Sequence, residues 1–88
     1  MANHRSAEKR DRQSIKRRER NRSRVSRLRT QIKKLRAAVE AGEQDKAREM
    51  LPGTLGLIDR TAQKGAIHAN AAARRKSRLT KLVQGAQG

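Results

Sequence analysis

The chain contains no cysteine, phenylalanine, tyrosine or tryptophan, has a single proline, and carries only 8 acidic residues against 24 basic ones. Without cysteine there is no disulfide framework, no thiolate metal site and no thiol nucleophile, which suits a reducing, cytoplasmic setting. Without aromatic side chains, burial falls to Leu, Ile, Val, Met and Ala, so any core built within 88 residues is thin. The same absence removes the platforms on which single-strand binders stack bases, leaving His4 and His68 as the only rings outside proline. No apolar run approaches the roughly 18 residues of a membrane span, and the opening Met-Ala-Asn-His-Arg leads straight into charge, so neither a membrane segment nor a signal peptide is expected. The carboxylates are scattered singly, and no metal cluster, phosphate-cradling glycine loop or nucleophile with its base can be assembled at recognisable spacing. An enzyme, a cofactor, a bound metal and a small-molecule substrate are therefore not expected. A membrane-active cationic helix would need an apolar face that the basic stretch lacks.

What the chain has is positive charge. A formal net charge of +16 and a pI near 11.9 point to a polyanionic partner. Arg outnumbers Lys 16 to 8, and the planar guanidinium fork suits bidentate phosphate contacts better than mere solubility requires. The charge is segmented. Residues 1–36 hold 15 Lys and Arg against Glu8, Asp11 and Glu19, and residues 64–88 hold six with no acid. Between them, residues 37–63 hold Lys46, Arg48 and Arg60 against five acids, so the nucleic-acid face is expected on the two basic segments and not in the middle.

Local signals predict three helices. The first, residues 5–39, has Ser6 as its candidate cap and Glu8 in its first turn. Its second half carries Val25, Leu28, Ile32, Leu35 and Val39 in the three-and-four spacing of a docking stripe. Its first half carries cations at every azimuth, with Ile15 as the one large apolar residue. Like-charge pairs such as Arg12/Lys16, Arg18/Arg22 and Arg20/Arg24 disfavour helix there, so this half is expected to be poorly helical alone and to order on binding. Gly42 closes the helix, and the short connection demands an antiparallel return. A second helix, residues 44–63, buries Ala47, Met50 or Leu51, Leu55, Ile58 and Ala62, with a kink or break expected at Pro52-Gly53. Lys64-Gly65 ends it. A third helix, residues 67–83, uses Ile67, Ala71 or Ala72, Leu79, and Leu82 or Val83; Asn70 is an alternative cap that shortens it by a turn. The fold class is all-α, an antiparallel three-helix bundle with a long N-terminal helix projecting beyond it. As one domain it divides into a basic arm at residues 1–24, a bundle at 25–83 and a fraying tail at 84–88.

Phosphate, sugar and shape contacts along structured duplexes remain once aromatic stacking is excluded. Charge around the whole arm calls for phosphates on several sides, a geometry that folded RNA supplies better than one straight DNA duplex. A basic-zipper DNA reader is the closest rival, because Asn21-Arg22-Ser23-Arg24-Val25-Ser26-Arg27-Leu28-Arg29 precedes heptad apolar residues. Two small residues that a zipper wants stand here as Arg24 and Val25, and the heptads stop at Gly42. A histone-like architectural DNA protein stays open, since phosphate contacts alone do not separate RNA from DNA.

Specific motifs carry the reading further. Ala2-Asn3-x-x-Ser6-Ala7-x-Lys9-Arg10 comes first, then Asn21 with Ser23, Ser26 and Arg29-Thr30-x-Ile32-Lys33-Lys34. Lys64-Gly65-x-Ile67-His68-x-Asn70-x-Ala72-Ala73-Arg74-x-Lys76-Ser77-x-Leu79 is the densest. Over nearly its whole length the chain resembles the bacterial small-subunit ribosomal protein S-twenty family. That resemblance implies a three-helix bundle that binds small-subunit ribosomal RNA directly, helps assemble it, and contacts more than one RNA domain with its long helix. It implies a monomer within the ribosome, with other ribosomal proteins as minor partners at most. Glu8 and Ala69 depart from the family's usual lysines. The candidate RNA-binding residues on the first helix are Asn3, Ser6, Lys9, Arg10, Arg17, Arg20, Asn21, Arg24, Arg27, Lys33 and Lys34. Around the last turn and third helix they are Lys64, Gly65, His68, Asn70, Arg74, Arg75, Lys76, Ser77 and Arg78. For His68 and Asn70, helix capping competes with RNA contact; Gly65 reads first as a turn residue. The 74–78 run would be a solvated face in a protein of ordinary charge.

Overall fold

The computed structural model describes the backbone of residues 2–85 and the side chains of residues 8–85. Three helices account for nearly all of it: α1 (Ala2–Glu40), α2 (Gln44–Gln63) and α3 (Ala69–Gly85). The fold is the all-α three-helix bundle that the apolar spacing predicts, with α2 packed against both neighbours while α1 and α3 meet only glancingly.

α1 starts earlier than Ser6, which lies inside the helix and not at its cap. α1 is continuous over 39 residues, as the single long helix expected over residues 5–39 requires. Arg, Lys, Gln and Glu are all good helix formers, and neither glycine nor proline occurs before Gly42. Each like-charge pair along it costs a few tenths of a kcal/mol. At about 1.5 Å per residue such a helix is nearly 60 Å long, and it sets the 66 Å long axis of a molecule only 20 × 14 Å across. The radius of gyration, 17.6 Å, exceeds the roughly 12 Å of a compact chain of this length because the N-terminal half of α1 stands clear of the bundle.

Both interhelix turns close in the same way. Gly42 donates to the Val39 carbonyl at 3.1 Å and Glu43 to Ala38 at 2.9 Å. Gly65 donates to Ala62 at 2.9 Å and Ala66 to Thr61 at 3.1 Å. These are two Schellman closures, and both glycines adopt left-handed backbone, with φ of +77° and +78°. A Cβ at either position would meet open space, so backbone conformation and not crowding is what demands glycine.

α2 runs through Pro52-Gly53 as one helix, so of the expected kink or break the break is absent. Arg48 and Pro52 both lie on its exposed side, while Ala47, Thr54, Ile58 and Thr61 anchor the opposite face. Tertiary packing on both flanks of the proline thus outweighs the local penalty, roughly 3 kcal/mol for an interior proline.

One apolar cluster joins the helices. Leu28, Leu35 and Ala38 of α1, Ala47 and Ile58 of α2, and Ala72, Leu79 and Val83 of α3 are buried, with Ile32, Val39, Met50, Leu51, Leu55 and Ile67 packed against them. Val25, predicted in the stripe, is only half-buried. Thr54 and Thr61 take buried positions that apolar patterning did not assign, and both hydroxyls are satisfied within α2. Thr54 donates to the Met50 carbonyl at 2.9 Å and Thr61 to Leu57 at 2.7 Å. The Gln31 side-chain amide donates to Thr54 Oγ1 at 3.2 Å, fixing the register of α1 against α2. Of the expected fraying tail at 84–88, Gln84 and Gly85 belong to α3, and residues 86–88 lie outside the described residues.

Because Leu28 is completely buried, Leu28→Ala should destabilise the fold by about 2–5 kcal/mol in urea titration, and the half-buried Ile32→Ala by less. Gly42→Ala should cost about 1 kcal/mol through forced left-handed backbone.

Candidate nucleic-acid interface

The candidate residues fall on distinct surfaces. Asn3 and Ser6 belong to the first turns of α1, and their side chains lie outside the described residues. Lys9, Arg10, Arg17 and Arg20 are exposed on the projecting half of α1, where every described side chain from Glu8 to Arg20 is exposed. The lone large apolar residue there, Ile15, is 52% exposed, so among the described residues of this half no side chain is buried against protein.

The surroundings change at Asn21 and Arg24, the first half-covered side chains of α1. Arg24 Nη1 donates to Asn21 Oδ1 at 3.2 Å, which holds the guanidinium over the mouth of the bundle. There Arg24 and Arg27 of α1, Arg60 of α2 and Lys64 of the following turn line a groove floored by Leu57 and Thr61. Arg60 comes from the middle segment that charge counting set aside. Its neighbours Thr61 and Ile58 are buried, which turns it to this rim.

A second groove opens between α1 and α3. Arg29, Lys33 and Arg36 line one wall and Arg75 and Arg78 the other. Arg29 and Arg36 were absent from the sequence-derived set. Their four-and-three spacing with Lys33 places all three on one flank of the Ile32 and Leu35 stripe, a signal that periodicity alone contained. Lys34 stands apart, bordering a depression with Ala37, Glu43 and Lys46.

On α3, Arg74, Ser77 and Arg78 are exposed, and Arg75 is half-buried. Lys76 is engaged within the protein, its Nζ 2.8 Å from Asp59 Oδ1 of α2. Both partners are largely solvated, so the pair contributes at most about 1 kcal/mol while orienting α3. His68 precedes the first residue of α3, and its Nδ1 accepts from the Asn70 backbone N–H at 3.0 Å. His68, not Asn70, is therefore the helix cap, and its main-chain carbonyl takes the Ala72 N–H at 3.0 Å. The Asn70 side chain is left exposed. Gly65 closes α2 through its positive φ.

Among the described residues, no group of three or more His, Cys, Asp or Glu is placed to hold a metal, and no helix is long and apolar enough to cross a membrane. A slim helical unit whose long helix carries exposed cations around its projecting half, with further cations facing each other across two grooves, has the form of a structural protein and not of an enclosed catalytic site. Comparison with known proteins resolves the class. The family described as ribosomal protein S20 matches residues 2–84. The chain is 54% identical over 83 residues to the small ribosomal subunit protein bS20 of Geobacter metallireducens, covering 94% of this chain and 95% of that one. It is 50% identical over 84 residues to the bS20 protein of Mycolicibacterium vanbaalenii, covering 96% and 98%, and 51% identical over 83 residues to that of Aquifex aeolicus, covering 94% and 88%. The chain belongs to the ribosomal protein S20 family, a family of structural proteins, and is not an enzyme.

If His68 serves as the cap of α3, His68→Ala should lower stability by about 1 kcal/mol, the usual size of a lost N-cap, in thermal or urea unfolding without RNA.

Proposed function

We propose that the chain binds small-subunit ribosomal RNA directly, through phosphate and sugar contacts, and bridges separate RNA segments during and after subunit assembly. The carrying observation is the division of α1: exposed cations on all sides from Lys9 to Arg20, then a stripe committed to the core from Leu28 onward. Among the described residues the projecting half has every side chain from Glu8 to Arg20 exposed, and its net charge is strongly positive, so RNA phosphates are its partner. Arg74, Arg75, Ser77 and Arg78 of α3, with the Lys64-to-Asn70 connection, form a second RNA face. The bundle sets the angle between the two. Asn21, Arg24 and Arg27 lie at the junction, and Lys33 and Lys34 extend the basic surface along the bundle. Family membership supports a ribosomal setting, hence the cytoplasm, and a single copy acting there without cofactor. Lys76 contributes mainly by holding α3 to α2 through Asp59.

Affinity for small-subunit ribosomal RNA should fall by roughly 0.7 to 0.9 decades per decade of salt for each phosphate neutralised. Replacing Arg17, Arg20 and Arg24 together by Ala should flatten that slope by about 2 to 3 and weaken binding, while the bundle melts as before. A salt-independent affinity, or preference for duplex DNA in competition at physiological salt, would refute the proposal.

A further inference from the structure

We infer that the groove between α1 and α3 is a seat for one strand of RNA backbone, whose phosphates neutralise a repulsion that the free protein leaves uncompensated; this rests on the RNA-binding reading above. The groove has a volume of about 340 Å³ and is lined by Arg29, Lys33 and Arg36 on α1 and by Arg75 and Arg78 on α3, with no carboxylate among its lining residues. Its remaining lining residues, Ile32 and Leu79, are apolar.

The seam between α2 and α3 is built differently, whereas the α1–α2 groove of Arg24, Arg27, Arg60 and Lys64 is cationic too. Between α2 and α3, Asp59 meets Lys76 at 2.8 Å, opposite charge facing opposite charge. The α1–α3 seam faces like charge with like charge, and it is also where packing is thinnest. Cations gathered over an apolar floor repel more strongly than the same cations in open water, because the nearby low-dielectric surface screens them less. Such an arrangement is costly without an anion and favourable with one. An anion entering between the two rows makes contacts to both helices at once.

The shape of the site selects among anions. Arg29 to Arg36 spans seven residue steps of α1, a row about 10 Å long. A single phosphate cannot engage its whole length, whereas successive phosphates of one strand can. The exposed Arg29, Lys33, Arg36 and Arg78 offer forks and an ammonium to the strand from both walls, and Arg75 is the half-buried cation among them. Bound backbone thereby clasps α1 to α3, the pair that the protein's own contacts join least.

The test uses the full chain, with Arg36→Gln/Arg75→Gln as the groove variant and Arg17→Ala/Arg20→Ala as the arm variant. In low salt without RNA the groove variant should melt higher than the parent, because repulsion has been removed. Titrated with small-subunit ribosomal RNA, it should bind more weakly, with a salt slope reduced by roughly 1.4 to 1.8 for two lost phosphate contacts. A groove variant that melts lower than the parent, or that keeps the parental slope, overturns the seat. If the arm variant loses slope in that same experiment, RNA binding stands and the groove alone fails; if neither variant loses slope, both readings fail.

Discussion

Twenty-four cations in 88 residues repel one another, and an apolar seam of small and medium side chains opposes them. Leu28 and Leu35 from α1, Ile58 from α2, and Leu79 and Val83 from α3 meet along it, with alanines 38, 47 and 72 letting the backbones approach. No aromatic residue enlarges the seam. Its limited reach shapes the molecule: the seam ends near Leu28, every described α1 side chain from Arg20 back to Glu8 is exposed, and the charge collects where no core competes with it. Helix continuity then carries the consequence outward. A rigid rod anchored at one end by core packing holds the cations of its other end far from the bundle, at a fixed distance from those of α3.

Much of the fold was legible because it depends on local chemistry. Two glycines at helix ends, a three-and-four apolar spacing and a charge map suffice for three helices and their order. The errors have a common origin in packing that no local signal encodes. Pro52 reads as a breaker, yet α2 is anchored on either side of it by Ala47 and Ile58 and stays whole. Thr54 and Thr61 carry no apolar signal, but their hydroxyls turn back to carbonyls one turn earlier and enter the core without an unmet hydrogen bond. At the start of α3, Asn70 has the better capping propensity, while the chain path places the His68 ring nitrogen over the free N–H.

The candidate interface was legible residue by residue but not as an arrangement. Composition identifies the basic segments. It does not say that Arg60 joins Arg24, Arg27 and Lys64, or that Arg29 and Arg36 face Arg75 and Arg78 across a groove, because those groupings exist only once α2 has brought distant segments together. Lys76 illustrates the converse: within a run of cations it looks like its neighbours, but Asp59, seventeen residues earlier, claims it for the fold.

The central claim is that a single molecule holds RNA at two separated surfaces, the projecting half of α1 and the outer face of α3. The absence of cysteine makes a direct measurement possible, since Ile15→Cys and Ser77→Cys each introduce one thiol at an exposed position for a tethered hydroxyl-radical source. Directed cleavage of bound small-subunit ribosomal RNA should give two different sets of cuts, one from each site. Cuts from the α3 position alone, with none from the α1 position, would contradict the account.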